Sequence, residues 1–316
     1  MSQVPLTNPL QFWQNPSSWL YNFWKFSRPH TIIGTSGSVF ALFVIAISTT
    51  NSQLTAYNIT QAIGVWLACI LGNIYIVGLN QLEDIAIDQI NKPHLPLASG
   101  EFSLKTGQTI VIITGIFSLI FALFLGQWLL ATVGFSLFLG TAYSLPPLRL
   151  KKFPFWAAFC IFTVRGVIVN LGLFLHFSQI LSGQAFLPLS VWLLTLFVLI
   201  FTVAIAIFKD VPDLEGDRQY QITTFTLILG QEKILKIALG IISFCYLGMI
   251  IAGFFKVPNI NPYILIVAHL VLLIILWMRS RGVNLKEKKE ITQFYQFIWK
   301  LFFIEYIIFP VACVFR

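Results

Sequence analysis

Long apolar runs alternate with short polar ones along most of this chain. A helix needs about 20 mostly apolar residues to cross a bilayer, and about nine runs approach that length. They lie at roughly 31–48, 60–79, 107–125, 128–145, 154–177, 187–208, 234–254, 261–278 and 293–314. Only Gly126 and Gln127 separate the third from the fourth, which makes those two tight neighbours. The pattern predicts an all-α fold, an integral membrane bundle of about nine transmembrane helices. Residues 1–316 read as a single transmembrane domain. Within it, residues 1–30 lack the basic start of a secretory signal, and Trp13, Trp19, Phe23 and Trp24 mark an interfacial segment instead. The same residues lack the Ser/Arg-rich character of an organelle transit peptide, which favours a bacterial-type membrane.

Composition agrees. Of 316 residues, 57% are hydrophobic and 10% charged, and the mean hydropathy is +0.83. A soluble domain carries about 25% charged residues, so a large soluble core is excluded. The charges also sort by side. Of the 20 lysines and arginines, only Lys256 and Arg316 fall opposite the N-terminal side, and Arg165 lies inside a span. The positive-inside rule therefore makes the N-terminal side cytoplasmic. That asymmetry, with contact to anionic membrane lipid, accounts for the net charge of +8 without a nucleic-acid partner. Cys69, Cys160, Cys245 and Cys313 stand singly in apolar runs, with no zinc, redox or disulfide spacing, and read as small buried hydrophobes.

The acids change the picture most. Of 12, all but Glu305 lie on the cytoplasmic side, and they concentrate in two stretches. The first is NQLEDIAIDQ, which gives Asn80-x3-Asp84-x3-Asp88 after the second span. If the helix continues past Leu79, these three share one face, because side chains four apart are neighbours about 5–6 Å apart. Two carboxylates that close repel unless a cation lies between them. An all-oxygen set suits Mg²⁺, Mn²⁺ or Ca²⁺, and Mg²⁺ takes one or two carboxylates and completes its shell with water and substrate phosphates. Glu83 is one step off that face and reads as solvated. The second stretch is KDVPDLEGDR after the sixth span, where Asp210, Asp213 and Asp217 again share a helical face, though Pro212 and Gly216 interrupt it. One such set at a helix end is ordinarily a solvated terminus. Two sets on one side, four spans apart, with acids scarce elsewhere, form a weak internal repeat and point to two metal sites bridged by a diphosphate.

Other polar residues are candidates for the same chemistry. Arg149, Lys151 and Lys152 in YSLPPLRLKK suit diphosphate oxygens, unless they only obey the positive-inside rule. Asn73 lies one heptad before Asn80 and faces the same way. Arg165, near Asn170, is an ionisable group at membrane depth and so a functional candidate, for a carboxylate or phosphate, or a partner for another helix. Arg28, in RPH, enters the membrane on the same face, as a ligand contact or a snorkelling anchor. His176 and His269 have no partner nearby in sequence and read as packing residues. A transporter is the rival class, but transporter sites sit near the bilayer midplane rather than at helix ends.

With these motifs in place, the chain resembles the UbiA superfamily of membrane-embedded aromatic prenyltransferases, nine-helix bundles with N-x3-D-x3-D after the second helix and D-x3-D after the sixth. Asn80, Asp84 and Asp88 match the first motif, and Asp213 and Asp217 the second. FSRPHTIIGT, NQLEDIAIDQINKPHLPLASGEFS and KDVPDLEGDRQYQITTF further resemble the homogentisate prenyltransferases of photosynthetic organisms, above all the cyanobacterial phytyltransferases. Chlorophyll synthases more typically have ND where Asn80-Gln81 stands, and Gln221 replaces a glycine frequent in relatives. The resemblance implies Mg-dependent transfer of phytyl from phytyl diphosphate to homogentisate with loss of carbon dioxide, in a cyanobacterial thylakoid or plasma membrane. Geranylgeranyl, solanesyl or chlorophyll-synthase activity are the alternatives. It implies two Mg²⁺ ions, with Mn²⁺ admissible, on Asn80, Asp84, Asp88, Asp210, Asp213 and Asp217. Asp84, Asp88, Asp213 and Asp217 are the expected catalytic residues. Arg28, Asn73, Lys92, Tyr143, Ser144, Arg149, Arg165 and Lys209 are the expected substrate contacts.

Overall fold

The computed structural model describes residues 13, 15–219 and 224–316, and within these the side chains of 215–217 lie outside the description. The described residues are helical throughout, with no strand. Helix α1 (Pro16–Phe26) is amphipathic, opened by the Asn15 side chain as N-cap and by Pro16 in the first turn. It lies where the interfacial segment was expected, with Phe26 buried against Ile74 and Val111, and Trp24 exposed.

The spans follow as α2 (Pro29–Thr50), α3 (Ala56–Glu83), α5 (Leu104–Leu125), α6 (Gln127–Ser144), α7 (Pro154–Phe162) running into α8 (Val169–Ser182), α9 (Leu189–Phe208), α12 (Gln231–Phe254), α13 (Pro262–Ser280) and α14 (Lys288–Val314). Between them stand the short helices α4 (Ile85–Asn91), α10 (Leu214–Gln219) and α11 (Phe225–Leu229). Among the described residues, eight helices are long and apolar enough to cross a membrane, α7 and α8 counting as one. The fourth predicted span, α6, is not among them: its 18 residues open on Gln127 and close on Thr141, Tyr143 and Ser144. It still returns the chain across the bundle, since Gly126 starts it at one end and Arg149, just beyond it, reaches Asp84 at the other. The connection works because Gly126 adopts φ +139°, which a side chain would disfavour.

Buried apolar residues of α2, α8, α9, α12, α13 and α14 form the main core. The outer face is apolar too: Phe117, Phe124, Phe138, Phe244 and Ile307 are exposed, as lipid-facing residues should be. The protein is thus a multi-pass integral membrane protein.

Two features lie beyond what the sequence pattern predicts. The fifth span is not a uniform α-helix, because Thr163–Ile168 forms a π-helical turn between α7 and α8. Gly166 within it lies against the α9 backbone: a Cβ there would come within 2.6 Å of the Leu199 Cα. Gly166→Ala is expected to cost about 1–3 kcal/mol through overpacking, read as a lower thermal midpoint in detergent. His269 is a buried packing residue, as expected, and has a partner distant in sequence. It meets Glu305 of α14 at 2.9 Å, and both are fully buried. The sequence hid this because the two lie 36 residues apart. Glu305→Leu is expected to cost about 2 kcal/mol, and adding His269→Leu should recover part of the loss in a double-mutant cycle.

Candidate active site

A cavity of about 1460 Å³ opens between the helices at the end of the bundle that carries both acid sets and runs inward. Its mouth holds both acid sets. Helix α3 does not continue through the first motif as expected. It ends at Glu83, and Asp84, at φ −113° and ψ 18°, caps the start of α4. The i,i+4 relation survives the break, since the Asp88 N–H donates to the Asp84 carbonyl at 2.7 Å. Asn80 donates to Asp84 Oδ2 at 3.1 Å, so Asn80, Asp84 and Asp88 do converge on one wall. The second motif is a turn rather than a helical face: Asp210 and Asp213 precede α10. Asp217 stands on α10, but its side chain lies outside the described residues, as does Gln221 entirely. Helices α4 and α10 pack on each other, which brings the two sets face to face.

Cationic side chains occupy the space between the acids. Lys92 joins both sets, in contact with Asp213 and 3.9 Å from Asp88 Oδ1. Arg28 lies 3.8 Å from Asp88. Lys151 and Arg149 lie 2.7 Å and 3.5 Å from Asp84. Lys209 lies 3.2 Å from Asp210 and donates to the Tyr143 hydroxyl at 3.4 Å. Burial pushes the Asp88 carboxyl above its ordinary value, against the pull of Arg28 and Lys92. Burial likewise lowers the Lys151 ammonium, although Asp84 opposes it. For Lys209 burial is overcome by Asp210 and Tyr143, which hold it protonated well above lysine's usual range.

The donor set fits a divalent cation. It is all oxygen, and Asp88 is 4% exposed with an Oδ2 that accepts no hydrogen bond. Among the described residues no three of His, Cys, Asp and Glu converge as a ready-made cage. Mg²⁺ takes one or two carboxylates and completes its shell with water and substrate phosphates.

Further in, the walls change character. Val39, Val133, Leu137 and Leu173 make one side apolar. Helix α14 lines another with Tyr295, Trp299, Phe303 and Tyr306, spaced three and four apart and so on one face. This aromatic face was missed in the sequence, where total aromatic richness is ordinary for membrane proteins; its i,i+4 spacing was the available signal. Asn73 lines the cavity and donates to Thr31 Oγ1 at 2.9 Å. Arg165 also lines it, but Asn170 does not pair with its guanidinium. The Asn170 amide instead donates to the Arg165 and Gly166 carbonyls, at 3.0 and 2.8 Å. Ser144 is the described candidate that stands off the wall: it is fully buried, and its hydroxyl has no hydrogen-bond partner. Cys69 and Cys160 line the cavity as free thiols.

These features define a class: a membrane-embedded α-helical enzyme with opposed carboxylates at the mouth of an apolar, aromatic-walled chamber. Residues 37–301 match the UbiA prenyltransferase family, and the chain belongs to that family. It is 55% identical over 291 residues to the homogentisate phytyltransferase of Synechocystis, covering 92% of this chain and 94% of that one. It is 42% identical to homogentisate phytyltransferase 1, chloroplastic, of Arabidopsis thaliana, over 91% of this chain and 74% of that one. The structure of a UbiA homolog from Archaeoglobus fulgidus bound to GPP and Mg²⁺ superposes with a TM-score of 0.62 at 17% identity, over 93% of this chain and all of that one. That likeness shows the shared fold. The chain is therefore a prenyltransferase, which sets the transporter reading aside.

Proposed function

We propose that the chain transfers a phytyl group from phytyl diphosphate to homogentisate with loss of carbon dioxide, giving 2-methyl-6-phytyl-benzoquinol for tocopherol synthesis. The observation that carries the chemistry is the pair of acid sets facing each other across one cavity with Lys92 between them. The identity to the Synechocystis relative supports the choice of substrates.

Asn80, Asp84 and Asp88 on one wall, and Asp210 and Asp213 with Asp217 on the other, are the residues that would hold two Mg²⁺ ions. Bound there, Mg²⁺ supplies positive charge for the departing diphosphate. Arg28, Lys92, Arg149 and Lys209 add to that charge, each already at the mouth and needing little reorganisation. The allylic C–O bond breaks and its electron pair leaves with the diphosphate. The cation forms beside aromatic rings of α14, whose faces favour positive charge, in a chamber whose apolar walls exclude water. A ring carbon of homogentisate closes the new C–C bond. The ring proton released balances the proton taken up by the methyl group that remains when the carboxyl leaves. The prenyl tail lies along the bundle in contact with lipid. The acid sets face the cytoplasm of a cyanobacterial thylakoid or plasma membrane, as the charge asymmetry of the loops supports.

The test is a competition assay with purified protein, Mg²⁺ and homogentisate. Phytyl, geranylgeranyl and solanesyl diphosphates are offered together, and chlorophyllide is run in parallel as acceptor. Phytylated quinol is the expected main product. Preference for another chain, or for chlorophyllide, sinks the substrate assignment and leaves the prenyltransferase chemistry standing.

A further inference from the structure

Arg165 is electrostatically incomplete. It sits at the π-helical turn Thr163–Ile168, on the cavity wall. Its guanidinium lies over two rings of α14, 4.9 Å from the Trp299 centroid and 5.7 Å from that of Phe302. Among the described residues it donates no hydrogen bond, and no carboxylate lies within 4 Å of it. At the mouth the pattern is opposite: Arg28, Lys92, Arg149, Lys151 and Lys209 each touch an acid. The other cavity-lining lysines without such a partner, Lys152, Lys288 and Lys300, are exposed at the rim. Arg165 is thus the half-buried cation of the cavity that lacks an anion. Placing a charge at membrane depth costs about 3 kcal/mol, and two cation–π contacts offset only part of that. Five donors arranged in a fork remain to be met, and the groups that match them are a carboxylate or a phosphate.

The position suits one substrate more than the other. Gly34 of α2 approaches the guanidinium, where a Cβ would stand 3.1 Å from Nη1. Gly34 is six residues inward of Arg28, which is about 9 Å along the helix. The Arg165 guanidinium therefore lies at the level of Gly34, further along α2 than the start of that helix at Arg28. His30 lies between the two levels, its ring 5.1 Å from that of Trp299.

We propose that Arg165, its guanidinium placed over the Trp299 ring, is the anchor for the carboxylate of the aromatic acceptor, and so selects acid-bearing rings over neutral ones. This rests on the reading above that the acceptor is an aromatic acid. It assigns Arg165 to the acceptor, not to the diphosphate.

The experiment uses full-length protein in detergent, as wild type, Arg165→Gln, Arg165→Lys and Gly34→Ala. Equilibrium binding of 2,5-dihydroxyphenylacetate is compared with that of its methyl ester, and kinetics are run with each substrate varied in turn. Arg165→Gln is expected to weaken acid binding on the order of 100-fold, with less than about twofold change for the ester or in the KM for prenyl diphosphate. Arg165→Lys should fall between, because it keeps charge but loses the fork. Gly34→Ala keeps the arginine and presses alike on Nη1 and on Phe303 Cε1, each 3.1 Å from the added Cβ, so it should weaken binding of the acid more than that of the ester. It also keeps the inference testable if the glutamine variant does not fold. Equal loss for acid and ester, no loss at all, or a rise confined to the KM of the diphosphate overturns the anchor. The acid-versus-ester comparison needs no turnover. Failure of wild type to prenylate homogentisate would thus count against the substrate assignment, while loss of acid preference in the variants would still be read on its own.

Discussion

Asp84→Ala and Asp213→Ala are each expected to reduce prenyl transfer by at least about a thousandfold in detergent with Mg²⁺, prenyl diphosphate and aromatic acceptor supplied. The two residues belong to opposite walls, so either loss leaves one set without its opposing half. Asp84 is also the carboxylate that Lys151 and Arg149 contact, at 2.7 and 3.5 Å. Alanine there strands two cations aimed at the diphosphate end. Asp84→Asn keeps the shape and removes the charge, and should be nearly as inactive. Thermal midpoints near that of wild type would show that the fold is intact. Turnover like that of wild type in either alanine variant, with Mg²⁺ still required, would sink the metal role of these residues.

Lys92→Met carries the second large effect, and it has two signs. The ammonium stands between Asp88 and Asp213, where it neutralises both sets. Without it the carboxylates repel more strongly and attract a divalent ion more, so Mg²⁺ binding to the substrate-free protein should tighten by about tenfold. The same change removes a charge aimed at the diphosphate, so kcat/KM for prenyl diphosphate should fall by about 100-fold. Titrating Mg²⁺ by calorimetry and measuring kinetics on one preparation separates the two. Parallel loss in both would show Lys92 to be merely structural.

Much of this site was legible before the fold was known. The spacing from Asn80 to Asp88, and the recurrence of acids at Asp210 and Asp213, survive because local spacing and the polarity of the loops already place them at one membrane face. What changed was the backbone carrying them. A break at Asp84 and a turn at Asp210–Asp213 replace the continuous helical faces that the spacing suggested. Long-range contacts were not legible. Lys92 reaching Asp213, His269 pairing with Glu305, and Trp299 lying against Arg165 each join residues far apart in sequence. No periodicity encodes which helix meets which. Ser144 stands off the cavity wall for a related reason: a position at a helix end fixes depth, but rotation about the helix axis decides whether a side chain meets the cavity or the core.

The break after Glu83 separates two jobs that a single long helix would have coupled. The acids ride on short segments, α4 and the turn leading into α10, which meet each other above the bundle. The apolar chamber beneath them is shaped by the spans. Side chains of the lower wall, such as Val133, Leu137 and Leu173, can thus change in size without moving the carboxylates. The architecture is modular: the mouth that carries the carboxylates can stay constant while the shape of the chamber beneath it is retuned.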